Sequence, residues 1–251
     1  MPNRPRLIAI ASGKGGVGKT WVAITLAHAL AARRDSVLLF DGDLGLANVD
    51  VQLGLTPNHD LGALLTGRVP LAEAVMRHPE GGFDILAGIS GSGSLSGLDP
   101  AAVERILALL RDAAGYDTVL LDLGAGLERG VRRMAAAADM LLTVATEEPT
   151  SLTDAYAVLK LYASDTRAGD ARILVNQAAT HAAGMRTYET LRRACTSFLR
   201  LDPPLAGIVR RDDRVRDAIR RQALLLVRHP TCQAAMDVEA IAAGLSQKVA
   251  A

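Results

Sequence analysis

The sequence predicts an α/β protein: a mainly parallel, doubly wound sheet flanked by helices. Three observations predict it. Short apolar runs of strand length recur along the chain, helical stretches separate them, and a glycine-rich turn joins the first run to the first helix. The apolar runs at residues 7–11, 37–40, 83–86, 118–121, 140–146, 173–175 and 205–209 read as buried strands, each bounded by turn or polar residues. Residues 19–33, 100–113, 151–164, 187–198, 213–222 and 231–244 read as helices. Asp99-Pro100 is a strong helix start, because proline fits the first turn, where its missing N–H is not needed. Strands alternating with helices require right-handed crossovers, which cover both faces of a parallel sheet.

The bulk numbers agree. A chain of 251 residues is long enough for one sizeable core, and 49% hydrophobic with 22% charged residues fits an ordered globular protein. Residues 1–251 read as a single domain, with a short polar extension at 1–6 and a C-terminal helix within 231–251. The glycine- and serine-rich run at 88–97 reads as a loop, since βα alternation resumes after it. Aromatic residues make up 3%, which argues against stacking platforms for single-stranded nucleic acid, and a net charge of +1 supplies no global field toward DNA or anionic lipid. Cys195 and Cys232 form neither a CxxC pair nor a zinc spacing and read as reduced thiols. No apolar stretch reaches the ~18 residues of a membrane span, and no signal peptide is visible, so a cytoplasmic location is expected.

The most specific signal is Gly13-Lys14-Gly15-Gly16-Val17-Gly18-Lys19-Thr20, which fits G-x-x-x-x-G-K-[ST] between a strand and a helix. This is a phosphate loop. Its glycines let the backbone curl so that several N–H groups point at phosphate oxygens, and the helix adds its positive end. Lys19 is placed to reach the β- and γ-phosphates, and the Thr20 hydroxyl to ligate Mg²⁺. Trp21, the next residue, is counted with the nucleotide-binding set.

Two further strand ends carry acids. Asp41 and Asp43 follow the run at 37–40, and Asp122 follows the run at 118–121. Ligands bind at the carboxyl edge of open α/β sheets, so all three acids belong beside the phosphate loop. Asp122 is expected to hold Mg²⁺ through water, and Asp41 to be a Mg²⁺-shell or structural acid. Asn176 ends a later strand with an amide, a paired donor and acceptor that matches the N6/N7 edge of adenine, whereas the guanine pattern N-K-x-D is absent. ATP is therefore favoured over GTP. Arg210 and Asp212, after the strand at 205–209, are further candidate base contacts.

Lys14 narrows the reading. A second lysine inside the loop resembles the deviant KGGxGK[ST] motif of the MinD/ParA ATPases, a branch of the SIMIBI-type P-loop NTPases. The resemblance covers about residues 5–245. It implies that Lys14 crosses a dimer interface to the partner's phosphates, offsetting transition-state charge as an arginine finger does. It also implies that Asp43 positions the attacking water and sits near the metal, and that residues 123–126 form a second switch loop. Leu123 stands there where a hydroxyl often sits, which bears on the hydrolysis rate. Val209 stands where relatives often have proline.

Within that family, residues 43–51 look like both MinD and FleN/FlhG proteins. Residues 147–156 (EEPTSLTDAY) are close to the D-E-P-T-S-[IL]-T-D-A-Y segment of FleN/FlhG, the regulators of flagellar number, and residues 214–222 resemble that branch's V-R-K-A-V-x-K-Q. The resemblance thus implies a MinD-like ATPase that forms a homodimer with ATP and Mg²⁺ and regulates flagellar number or placement. A flagellar GTPase of the FlhF type or a transcription regulator would be its partner. It also points to peripheral placement at the inner membrane or cell pole.

Departures exist. No D-Q-A-x-x-L-R segment, used by FlhG proteins to stimulate FlhF, precedes the strand at Leu7. The stripe Val238, Ile241, Leu245 and Val249 has Lys248 as its one cation, so core or dimer packing is favoured over a membrane anchor. An arginine-rich stretch at 210–228 is tempered by four acids, Asp202, Asp212, Asp213 and Asp217, and reads as a solvated face or an acidic-partner surface. The alternatives are a MinD/ParA spatial regulator of division or partition and an iron–sulfur reductase component. The second needs cysteines beside the switch loops.

Overall fold

A computed structural model describes residues 4–43, 48–57, 59, 61–88, 99–166 and 169–246. Among them, eight strands form one sheet in the order β3-β4-β2-β5-β1-β6-β7-β8. The strands are β1 (Arg6–Ala11), β2 (Val37–Gly42), β3 (Met76–Arg77), β4 (Asp84–Leu86), β5 (Thr118–Leu123), β6 (Met140–Ala145), β7 (Asp170–Ala178) and β8 (Leu205–Arg210). All neighbours run parallel except β3, which pairs antiparallel with β4 at the edge. From β1 the chain builds outward to one side through β2 and to the other through β6, so the carboxyl end of β1 lies at a topological switch point. Open α/β sheets form their crevice there.

Alternation along each strand divides the core. Ile8, Ile10, Leu39, Leu120, Leu142 and Leu174 face α1 (Lys19–Ala32), α2 (Val49–Leu53), α9 (Asp213–Arg220), α10 (Leu225–Arg228) and α11 (Gln233–Leu245). Leu7, Ala9, Phe40, Leu121, Leu141 and Ile173 face the opposite layer. That layer holds α3 (Leu61–Leu65), α5 (Pro100–Arg111), α6 (Arg129–Ala137), α7 (Pro149–Asp165) and α8 (His181–Leu199). The short α4 (Leu71–Ala74) precedes β3. The result is a three-layer sandwich whose central strands β2, β5 and β6 are fully buried, which explains why they read as continuous apolar runs.

All seven expected strands and six expected helices are present. The sequence reading missed β3, the helices α2, α3, α4 and α10 of four or five residues, and α6. Periodicity cannot register in a single turn. In α6, Val131, Met134 and Ala135 form a buried stripe between arginines, too brief to stand out. Asp99 caps α5 by accepting the Ala101 N–H, as expected of Asp-Pro.

Val238, Ile241 and Leu245 of α11 are buried in the core beneath α1 and β8, so this stripe is packing surface rather than a membrane face. Lys248 and Val249 lie outside the described residues, as do residues 89–97 of the expected loop and residues 44–47 of the first switch segment. No helix among the described residues is long and apolar enough to cross a membrane.

Candidate functional site

Four strand ends and one loop converge at the carboxyl edge. The phosphate loop leaves β1 and curls through Gly16 (φ 81°) and Gly18 (φ 88°), both in the left-handed region that glycine alone enters freely. A Cβ on Gly18 would lie 2.6 Å from Asn176 Nδ2, and one on Gly13 would lie 2.5 Å from the Asp154 carbonyl oxygen of α7. Glycine is therefore required at both places by close approach, and at Gly18 by conformation as well. Ser12 braces the loop: its hydroxyl donates to the Lys14 carbonyl at 2.7 Å, and its own carbonyl accepts the Gly126 N–H at 3.0 Å.

Lys19 opens α1 and is buried. Burial lowers its pKa, and the charges of Asp122 and Asp43 counteract that, so these two acids sit within electrostatic reach of the ammonium group. Thr20 follows, half-buried at the same turn.

Parallel pairing sets Asp41 beside Asp122 on adjacent strands. The two acids differ in partners. Asp41 accepts backbone N–H bonds from Asp43 at 3.1 Å, Asn48 at 3.0 Å and Val49 at 3.0 Å. It thereby holds the chain that follows β2. Burial nonetheless pushes its pKa up to about 6. Asp122 is 1% exposed, and neither carboxylate oxygen makes a full hydrogen bond. Burial, then the neighbouring Asp41 charge, push its pKa up to about 7, although the nearby Thr20 hydroxyl and Lys19 pull it down. A buried carboxylate left without partners is a group arranged to receive a cation. The donors present, one carboxylate and a nearby hydroxyl beside a phosphate loop, suit Mg²⁺, which takes oxygen ligands and keeps waters. Asp43 lies across the turn after β5, where a Cβ on Gly124 would come within 3.3 Å of its carboxylate.

Leu123 is fully buried on the sheet face opposite α1. A side chain at that position points into the core, away from the face that carries Asp122 and Lys19.

Lys14 lies at the loop tip, where it donates to the Glu148 carboxylate and, at 2.9 Å, to the Thr150 hydroxyl. The hydrogen bond from Lys14 holds the Glu148 carboxyl below its ordinary pKa. Glu148 and Thr150 belong to the segment 147–156, noted in the sequence only for its likeness. The structure shows a further reason for it: its first turn packs on the phosphate loop. At the other end of α7, Asp165 receives a forked pair from Arg132 of α6, at 2.6 and 2.9 Å.

Beside the loop opens a cavity of about 350 Å³. Gly16, Gly18, Trp21, Asn176 and Gln177 line one side, and Val209, Arg210, Arg211, Asp212, Val215, Arg216 and Ile219 the other. The expected base contacts all line this cavity, with different occupations from those anticipated. Asn176 Nδ2 donates to the Val17 carbonyl at 2.8 Å, so the amide clamps the loop and keeps one N–H and its oxygen for a ligand. The Arg210 guanidinium is held by Asp237 of α11 at 2.7 and 2.9 Å. Asp212 caps α9 through the Arg214 N–H and accepts a second N–H from Gln233. A strand end fixes where a side chain starts, not which neighbour claims it. Gln177 (φ 56°), Val215, Arg216 and Ile219 were missed, because their approach depends on how α9 folds back over β8.

This geometry agrees with comparisons to known proteins. The family model described as the CobQ/CobB/MinD/ParA nucleotide binding domain matches residues 8–225. The chain belongs to this family. Its likeness to the antiactivator FleN of Pseudomonas aeruginosa is 36% identity over 238 residues, covering 94% of this chain and 85% of FleN. The flagellum site-determining protein YlxH of Helicobacter pylori is 28% identical over 246 residues, covering 97% of this chain and 83% of YlxH. Among solved structures, the septum site-determining protein MinD complexed with Mg-ADP from Pyrococcus horikoshii superposes with a TM-score of 0.79 at 25% identity, over 97% of this chain and 96% of that one. The MinD/ParA fold and family expected from the sequence are thus those observed.

Proposed function

We propose that this MinD/ParA-family protein is a Mg²⁺-dependent ATPase that dimerises on ATP and regulates flagellar number or placement. One observation carries the chemistry: Asp122, buried and unpartnered, stands beside Lys19 and Thr20 at the end of a complete phosphate loop. In this reading Lys19 and the loop N–H groups bind the phosphates, and Thr20, Asp122 and the nearby Asp43 hold the metal. Mg²⁺, when bound, neutralises charge on the phosphate oxygens. Asp43 orients the attacking water. Lys14 leaves Glu148 and Thr150 to meet the phosphates of a second copy, so hydrolysis depends on dimerisation.

The flagellar role is supported by the likeness to FleN and YlxH across more than nine-tenths of the chain. The test is deletion of the gene in its source organism, restored as wild type or as Lys19→Ala. A rise in flagella per cell, counted by electron microscopy and reversed by wild type alone, is the expected result. Normal flagella would remove the flagellar role.

The superposition on MinD favours one second reading, septum placement, whose sign in the same strain is minicells. A DNA-partition role receives less support, because the chain as a whole carries a net charge of +1 and four of the seven arginines at 210–228 are held in ion pairs. Arg210 pairs with Asp237, Arg214 with Asp212, and Arg221 and Arg228 with Asp217. Lost replicons would mark it.

A further inference from the structure

We infer that Trp21 is the wall that holds the nucleoside, and that its indole, rather than a polar reader, sets how tightly the base end of the ligand binds. This rests on the reading of the site as a nucleotide pocket. It adds a specificity-determining residue that the phosphate-loop motif does not require, since the motif ends at Thr20.

Three of the polar side chains that border the cavity are tied to protein partners, while Arg211 and Arg216 also border it. Asn176 clamps Val17, Arg210 is forked onto Asp237, and Asp212 caps α9. The apolar surface that faces the space is Trp21 from one side, and Val215 and Ile219 of α9 from the other. A cavity of about 350 Å³ with such walls recognises a flat ring by contact area, so it favours a purine over the smaller pyrimidine.

Trp21 is suited to that task. It is the single tryptophan of the chain. It is 7% exposed and packs into the core layer of α1, so its ring is held in place before any ligand arrives. Its indole N–H has no hydrogen-bond partner among the described residues. Its position one residue past Thr20 fixes the division of labour on the first turn of α1: Lys19 and Thr20 serve the phosphates, and the next side chain turns to the cavity.

The experiment compares ATP with inorganic tripolyphosphate, which carries the phosphates and lacks the nucleoside. In wild type, calorimetry measures binding of both, and tryptophan emission reports Trp21 alone. Emission is expected to change with ATP and stay unchanged with tripolyphosphate. Trp21→Ala is expected to weaken ATP roughly tenfold, the scale of one lost base–aromatic contact, and to leave tripolyphosphate affinity unaltered. CTP is expected to bind wild type more weakly than ATP, and the gap to shrink in the variant. Trp21→Leu keeps apolar bulk in the core and carries the same comparison if Trp21→Ala does not fold. ATP binding without an emission change, or equal loss of ATP and tripolyphosphate in the variants, would overturn the inference. Wild type that binds neither ligand would overturn the nucleotide reading itself, and this inference with it.

Discussion

Replacing Asp122 with asparagine should stabilise the ligand-free protein and weaken its response to Mg²⁺-nucleotide. Asp122 is 1% exposed, without a full hydrogen bond on either oxygen, and lies beside Asp41. Its pKa is pushed from 3.8 to about 7, by burial first and by the Asp41 charge second. Between those values the folded protein holds a proton that the unfolded chain has released. Stability contributed by this group is therefore lost as pH rises through that window. The difference corresponds to up to about 4 kcal/mol at pH 8. For a chain of this length that is up to roughly 8–16 °C in melting temperature. Asparagine keeps the shape and removes the charge. The assay is thermal denaturation of both proteins from pH 4 to 8, with and without Mg-ADP. The variant should melt higher at pH 8, match wild type near pH 4, and gain less from Mg-ADP. An Asp122→Asn protein that melts at or below wild type at pH 8, with the same pH profile, would refute the assignment of Asp122 as a destabilised cation-seeking carboxylate.

Three other outcomes are expected. Gly13→Ala places a methyl 2.5 Å from the Asp154 carbonyl, so the loop or α7 must shift, with a loss on the order of 1–3 kcal/mol in urea denaturation and weaker nucleotide binding. In gel filtration with MgATP, Asp43→Ala should accumulate as dimer and Lys14→Ala should stay monomeric; identical elution of both with wild type would sink the dimer-switch mechanism. Burial, then mutual charge for His28, lower the pKa of His28 and His78, so the unfolded chain binds protons first and stability falls as pH drops below 6.5. This trend opposes that of Asp41 and Asp122, so a His28→Gln variant should flatten it selectively in pH-dependent melting curves.

Much of the site was legible because the chemistry sits where strands end. The run before Asp122 predicts a buried strand, and a buried strand places its terminal acid at the sheet edge. Lys19 and Thr20 follow from a motif whose spacing is set by the size of a phosphate. What was not legible depends on contacts distant in sequence. Lys14 meets Glu148 across 134 positions. Asn176 lies inside β7, which runs two residues past it, and its preference for the Val17 carbonyl follows from how closely Gly18 approaches it. The short helices α2, α3, α4 and α10 owe their form to tertiary packing, since one isolated turn is not stable by propensity.

The contact of Gly13 with Asp154 has a mechanical consequence. A helix of 17 residues is about 25 Å long and stiff along its axis. α7 therefore acts as a push-rod whose near end rests on the phosphate loop and whose far end is pinned to α6 by the Arg132–Asp165 fork. α6 begins just beyond Gly126, whose N–H returns to Ser12 beneath the same loop. Loop, rod, cross-brace and second switch make a closed linkage. A shift of the phosphate loop toward α7 would have to be taken up by this helix and its brace to α6.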